Sequence, residues 1–488
     1  METENAMRMP IRAMVRMWAF LFLFSASAAS HPLEVPPQQN PWAEMEALQR
    51  RIQEQEQVIE QLKRELAEHK RLLEQLREDV RGMVRRPREG PEESPRAVGE
   101  AAASRARTPS ANSLFLWANG RPTFRNPDGD FEMAVSGEGQ FDFRAYTGES
   151  FAPPNTFLLQ RFRLAVSGKL LSRYEYKIQA DFAERGSGLL RDGWLRIPLS
   201  QGVRLQVGNF KEPFSQEELR SAVYIDFVER AMAVQIAPSR SPGMQLTGEM
   251  ARGRVVYQIG LFNGKGNLAL NTTRTPEGVL RVRISPWRGG GASWSEGLSF
   301  GGAFALGRQR GGMSLRGQTE SQSAIFFSPR PVNGQVVRAN GEVTYLIGPF
   351  ALRAEYNQMA QDRYQLGPNR TTLPAVVAKG YAAQLTYVLT GEKKPENGPV
   401  VPRRSLLAAG AGDRGWGAWE VKARYSTLQL SDGAETVRAE TVTWGVNWYL
   451  TPFVKYVLDL VLERVPATSS LPHVGHSFSL LTRLQFAF

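Results

Sequence analysis

The sequence contains no cysteine and only four histidines, His31, His69, His473 and His476. The first absence excludes disulfide scaffolds, thiolate zinc sites, iron–sulfur clusters and cysteine nucleophiles. The second leaves acid–base and metal chemistry little to work with. His473 and His476 make half of a metal site at most, since no nearby cysteine or acidic residue completes it. A serine hydrolase would depend on the same two histidines for its base. Gly410–Gly415 (GAGDRG) matches G-x-G-x-x-G, but it precedes a strand pattern and not a helix, which removes nucleotide binding. No enzyme activity, metal or cofactor is expected. Long apolar runs are also scarce: beyond the N-terminus none approaches the ~20 residues of a membrane helix.

What is present changes character along the 488 residues. Residues 1–29 read as an export signal. Arg8, Arg12 and Arg16 precede the apolar run Met17–Phe24, and Ser25–Ser30 (SASAAS) offers a cleavage site near Ala28 or Ala29. Residues 44–85 keep a heptad repeat. Met45, Ile52, Ile59, Leu66, Leu73 and Val80 form one seam column; Leu48, Gln55, Leu62, His69, Leu76 and Met83 form the other. The pattern predicts an α-helical coiled coil on the order of 60 Å long, which needs partner strands to bury its seam. Gln55 and His69 in that seam specify register, so His69 reads as a core residue and not a ligand. Residues 86–112 are proline-rich, mixed in charge and poor in large apolar residues, a flexible linker. Basic and acidic residues balance over 1–112, so the formal charge of +12 belongs to residues 113–488.

Residues 113–488 alternate with a period of two. Tyr174, Tyr176, Ile178, Ala180 and Phe182 point one way, and Glu175, Lys177, Gln179 and Asp181 the other. Leu352, Ala354 and Tyr356 oppose Arg353, Glu355 and Asn357; Val421, Ala423 and Tyr425 oppose Glu420, Lys422 and Arg424. Two architectures share such strands: a soluble sandwich, and a transmembrane antiparallel barrel with its apolar face toward lipid. Length favours an all-β barrel of about 16 strands. Aromatic residues at strand ends (Trp444, Trp448, Tyr449) suit interfacial girdles. The last segment, Phe478–Phe488, sets Phe478, Leu480, Leu484, Phe486 and Phe488 against Arg483 and Gln485. Its aromatic end, at Phe488, is the kind read by barrel assembly machinery. Together with the export signal this places the chain in a bacterial outer membrane, among its lipids, with the coiled coil in the periplasm.

Six segments in order resemble the phosphate-selective porin O and P family: Val207–Leu219, Phe227–Ala231, Gly348–Glu355, Tyr387–Glu392, Gly417–Ser426 and Gly445–Lys455. The resemblance covers about Leu114 to Phe488. It implies a sixteen-stranded homotrimeric diffusion channel with inward-folded loops, whose lumenal arginines and lysines draw in anions such as phosphate. By parity the lumenal candidates are Arg161, Arg163, Lys177, Arg204, Arg281, Arg283, Arg353, Lys422 and Arg424. Each could equally be paired with a neighbouring carboxylate. The connection Lys211–Arg240 is the expected constriction loop, and its mixed charge argues for an anion-leaning pore over a phosphate filter. Nucleic acid is not an expected partner, because the basic residues are spread over alternating strands. A different role stays open: the barrel as an anchor whose stalk ties the membrane to the cell wall.

Overall fold

The computed structural model describes residues 115–118, 120–147, 153–184, 189–292, 294–406, 414–467 and 475–488. The export signal (1–29), the heptad segment (44–85), the linker (86–112), His31, His69, His473 and most of the GAGDRG run lie outside the described residues. A short hairpin, β1 (Phe115–Ala118) and β2 (Arg121–Arg125), leads into β3 (Phe131–Thr147). There follow β4 (Thr156–Leu170), β5 (Tyr174–Asp181), β6 (Leu190–Ser200), β7 (Val203–Lys211), β8 (Arg240–Met250), β9 (Val255–Phe262), β10 (Glu277–Ile284) and β11 (Leu298–Gln309). Two short strands, β12 (Gly317–Gln318) and β13 (Ile325–Phe327), pair only with each other. The wall then resumes with β14 (Gly334–Ile347), β15 (Phe350–Leu366), β16 (Thr371–Val388), β17 (Ala418–Ser431), β18 (Thr436–Tyr449), β19 (Val454–Val465) and β20 (Gly475–Ala487).

Successive wall strands pair antiparallel, and β20 returns to β3 from Phe478↔Thr147 to Ala487↔Glu138. The result is a closed barrel of sixteen strands, with no free edge along the seam where β20 meets β3. Closure leaves the lower end of β3 for the hairpin, where Thr123 faces Ala134.

Burial along the strands is inverted relative to a soluble protein. In β17, Val421 and Ala423 are exposed, while Glu420, Lys422 and Arg424 are buried. In β20, Phe478 and Leu484 are exposed and Arg483 is buried. Apolar residues thus face lipid and charged residues face the lumen, which a sandwich would reverse. Trp419 and Trp448 stack at 4.9 Å on the outer surface, one of several aromatic pairs that suit an interfacial girdle. A one-residue bulge separates Gln140↔Arg161 from Phe141↔Leu159. It turns Leu159 and Phe162 both outward and leaves Gln160 and Arg161 both within the lumen.

One rim carries the C-terminus and mostly tight connections, such as 201–202, 251–254, 348–349 and 450–453. The longest connection, 389–417, is also on that rim, but more of the long loops stand on the other, and the usual asymmetry of such barrels makes the other rim the extracellular side. Two loops of that rim fold back into the barrel: L3, residues 212–239, and L5, residues 310–333.

A charged lumen and two inward loops

L3 is built to lie inside a protein. It starts with the single helical turn α1 (Gln216–Leu219), whose cap is the Ser215 hydroxyl accepting from the Glu218 N–H at 3.1 Å. It ends in a 3₁₀ turn, Met232–Ile236, with Met232, Ala233, Val234 and Ile236 buried. Its backbone is held by side chains from across the barrel. Gln485 donates to the Val223 carbonyl at 3.0 Å, and in return the loop's own Gln216 donates to the Ala354 carbonyl of β15 at 2.8 Å. Asp459 accepts from the Val228 N–H at 2.7 Å, and Ser426 from that of Met232 at 3.0 Å. Gly380 of β16 permits the closest approach: a Cβ there would lie 2.9 Å from Ala233 Cα and from the Thr427 carbonyl oxygen.

The charges of L3 oppose those of the wall. Residues 212–239 contain five acidic and two basic side chains, a net −3. Asp226 sits at the centre of the arrangement. Its carboxylate meets Lys394 at 2.6 Å, Arg220 at 3.0 Å and Arg353 at 3.1 Å, and its carbonyl accepts from Lys422 at 2.7 Å and Asn447 at 3.0 Å. Burial alone would raise this carboxyl, but Arg220, Lys394 and Arg353 hold it well below the usual carboxylate range. Lys394 comes from the long connection after β16 and also bonds Glu420, which accepts from Tyr449 at 2.6 Å. Lys422 meets Asp459 at 2.5 Å. Four cations therefore meet three carboxylates, and a fifth basic group, Lys455, bonds the Ile225 carbonyl at 3.0 Å with no carboxylate partner described. Arg220, Lys394, Lys455 and Tyr449 border a cavity at the turn-bearing rim. Elsewhere in L3, burial would raise Glu218, but Arg230, Lys211 and Arg240 hold it at about 2.

L5 docks by two means. Glu463 of β19 accepts from the Ser321 N–H and hydroxyl, both at 2.7 Å, and from the Ser323 hydroxyl at 2.8 Å. Phe326, Phe327 and Val332 pack with Met232 and Ile236 of L3 against inward-facing Met359, Val376, Leu428, Leu430 and Val437. This apolar cluster covers part of the inner wall where a wet, charged surface was expected. The sequence signal was present: beyond Ser426 the inward positions of β17 become Leu428 and Leu430.

Glu320 of L5 bonds Arg424, and it accepts from Thr443 at 2.6 Å. Burial, aided by Glu463, pushes its carboxyl up to about 7 against the pull of Arg424 and Thr443. A carboxyl raised in the folded state binds its proton more tightly there, so its contribution to L5 docking is present at low pH and lost as pH rises through about 7. Protonation also removes one negative charge from the lumen. Anion preference, read as reversal potential in a salt gradient, is therefore expected to rise as pH falls from 8 to 6. Glu320→Gln should reduce that dependence, and an unchanged slope in the variant would refute the assignment.

The nine cations expected from parity all have lumenal partners, and eight carry a carboxylate. Arg163 lies 2.8 Å from Glu138 and 2.6 Å from Asp181; Lys177 is 2.7 Å from Asp192; Arg204 is 2.6 Å from Glu249. Arg281 pairs with Glu342, Arg283 with Glu396, Arg353 with Asp226, Lys422 with Asp459, and Arg424 with Glu217 and Glu320. Arg161 instead donates to Gln140 at 2.7 Å. Arg353, Lys422 and Arg424 come together beneath L3, whereas Arg204 stands apart near the turn-bearing rim. Parity reasoning missed Lys394, which lies in a loop, and Lys455, at the very start of β19. It also missed Arg144, which meets Asp142 at 2.9 Å and Glu229 at 2.5 Å.

The model of the family described as phosphate-selective porin O and P matches residues 133–488. The chain belongs to that family. It is an outer-membrane porin, a channel and not an enzyme. Among curated proteins it is similar to Porin O of Pseudomonas aeruginosa, 23 % identical over 428 residues, covering 74 % of this chain and 89 % of that one. Among solved structures it is similar to an anion-selective porin from Comamonas acidovorans (13 % identity, TM-score 0.47, covering 73 % and 99 % of the two chains). A trimer form of OmpT from Vibrio cholerae is another (10 %, TM-score 0.48, 72 % and 99 %). The matched residues of the porin run from the third residue of β3 to the C-terminus and so take in all sixteen wall strands.

Proposed function

We propose that this porin is a passive diffusion channel with a moderate preference for small anions, without a dedicated phosphate filter. The observation that carries the reading is the cluster around Asp226, where cations outnumber carboxylates at the inner face of L3 and along the adjoining cavity. Low-dielectric walls around such an excess raise the local anion concentration. Against a strong filter stands the pairing of eight of the nine candidate cations, which leaves few guanidinium forks free for bidentate phosphate. Phosphate and other small anions are accordingly proposed as permeants. The porin is further proposed to assemble as a homotrimer, with residues 44–85 as a periplasmic stalk.

The test is a planar bilayer with purified protein in a KCl gradient. The reversal potential is expected on the anion side, with chloride current reduced only weakly by millimolar phosphate. Lys455→Gln is the informative variant, since removing it leaves no buried carboxylate unpaired. The anion-to-cation permeability ratio should fall by roughly half. A cation-side reversal potential in the wild type, or no change in the variant, would sink the reading. Conductance in steps of three, and a threefold mass in detergent, would support the trimer.

A further inference from the structure

The outward face of the barrel carries a feature that the channel does not use. On five neighbouring strands the lipid-facing apolar series ends at one level. It runs from Tyr387 to Tyr381 on β16, Trp419 to Tyr425 on β17, Trp448 to Val442 on β18, Tyr456 to Leu462 on β19 and Phe486 to Phe478 on β20. The next outward positions toward the extracellular rim are Lys379 on β16, Thr427 then Gln429 on β17, Glu440 then Arg438 on β18, Arg464 on β19 and His476 on β20. The register fixes them as one band: Lys379 faces Gln429, which faces Arg438, and Glu440 faces Arg464, which faces His476. On β14 and β15 the residues at the level of Lys379 are Ala339 and Gln358, without charge. The basic band lies on the wall formed by β16–β20.

Its side chains are exposed, and of its three cations only Arg438 has a carboxylate partner within the chain among the described residues. Arg438 is braced by the Tyr381 hydroxyl at 3.0 Å and lies 3.0 Å from Glu440, its side chain 45 % exposed. Lys379 and Arg464 have no carboxylate partner among the described residues. Cations placed just outside an aromatic girdle sit at the depth of lipid headgroups, and each adds attraction toward an anionic surface. The outer leaflet of an outer membrane presents the phosphates of an acylated glycolipid. We infer that the band formed by Lys379, Arg438 and Arg464 docks the phosphorylated headgroup of that glycolipid, with its acyl chains along the apolar strips of β16–β20. Charge complementarity at headgroup depth, next to a long apolar surface, selects a lipid over free phosphate.

The experiment compares full-length wild-type protein with Lys379→Gln/Arg464→Gln, two outward positions whose change leaves the strand ladder and lumen intact. Both are incorporated in phosphatidylcholine nanodiscs doped with bis-phosphorylated lipid A, and bound lipid is counted by native mass spectrometry. Wild type is expected to retain lipid A at least about tenfold more strongly than the double variant. Enzymatically dephosphorylated lipid A should bind both weakly, and single-channel conductance should match. Equal retention of lipid A by the two proteins would overturn the inference, as would equal retention of the dephosphorylated form by wild type. Displacement of lipid A by millimolar inorganic phosphate would show a free-anion site instead. Disulfide cross-linking between copies through cysteines placed at 379 and 464 would show the wall covered by a second subunit, and would equally refute it.

Discussion

Asp226→Ala is expected to release L3 while leaving the barrel closed. The substitution strands Arg220 and Arg353 without a carboxylate and leaves Lys394 only Glu420. Removing one partner of a buried ionic network costs about 3–5 kcal/mol, because the remaining charges stay out of water. The wall does not share that loss, since its sixteen-strand ladder does not pass through Asp226. Trypsin should therefore cut after Arg220 or Arg230 in the variant and spare the folded wild type. Single-channel current should become larger and noisier, while the heat-modifiable mobility of the folded barrel persists. Resistance of L3 to trypsin in Asp226→Ala would show that the Asp226 network is not what holds the loop.

The second large effect comes from deleting L3 altogether. Lys211 and Arg240 face each other at the ends of β7 and β8, so a two-residue Asn-Gly turn can replace residues 212–239 without changing register. The deletion removes a net −3 from the lumen and with it the partners Asp226, Glu217 and Glu229. Arg353 is left bare, and Arg424 and Arg144 each lose one carboxylate. Conductance is expected to rise several-fold and anion preference to rise with it. A constriction loop that supplied the attracting cations would give the opposite sign for selectivity, so a fall in anion preference would refute the assignment of charge made here.

The barrel was legible in the sequence because alternation with charged inward positions has few explanations in a chain without cysteine. Inward placement of Arg353, Lys422 and Arg424 followed from that same alternation. What could not be read was pairing. Parity gives the face of a side chain, not its neighbour across the lumen, and the carboxylates that neutralise Arg353 and Arg424 lie 127 and 207 residues away. Arg161 points to the lumen beyond the bulge at Gln160, where its alternation with Phe162 resumes. L5 was missed because its docking surface is apolar on the inward parity, a local breach of the pattern in β17 and β19 that is intelligible only once Phe326 and Phe327 are seen against it.

The loop that narrows this channel belongs to the first half of the barrel, yet many of the side chains that hold it belong to the second. Its contacts with Glu355, Lys394, Asn447 and Asp459 span 138 to 231 residues. Contacts so distant along the chain form late. The acidic loop has nothing to settle on until β15–β20 are in place, so a half-inserted barrel carries L3 as a loose strap, and the narrowing of the passage is the closing act of biogenesis. Truncation of the chain before β17 would then yield intermediates whose L3 is cut by protease at every stage, and protection would arrive together with the last strands.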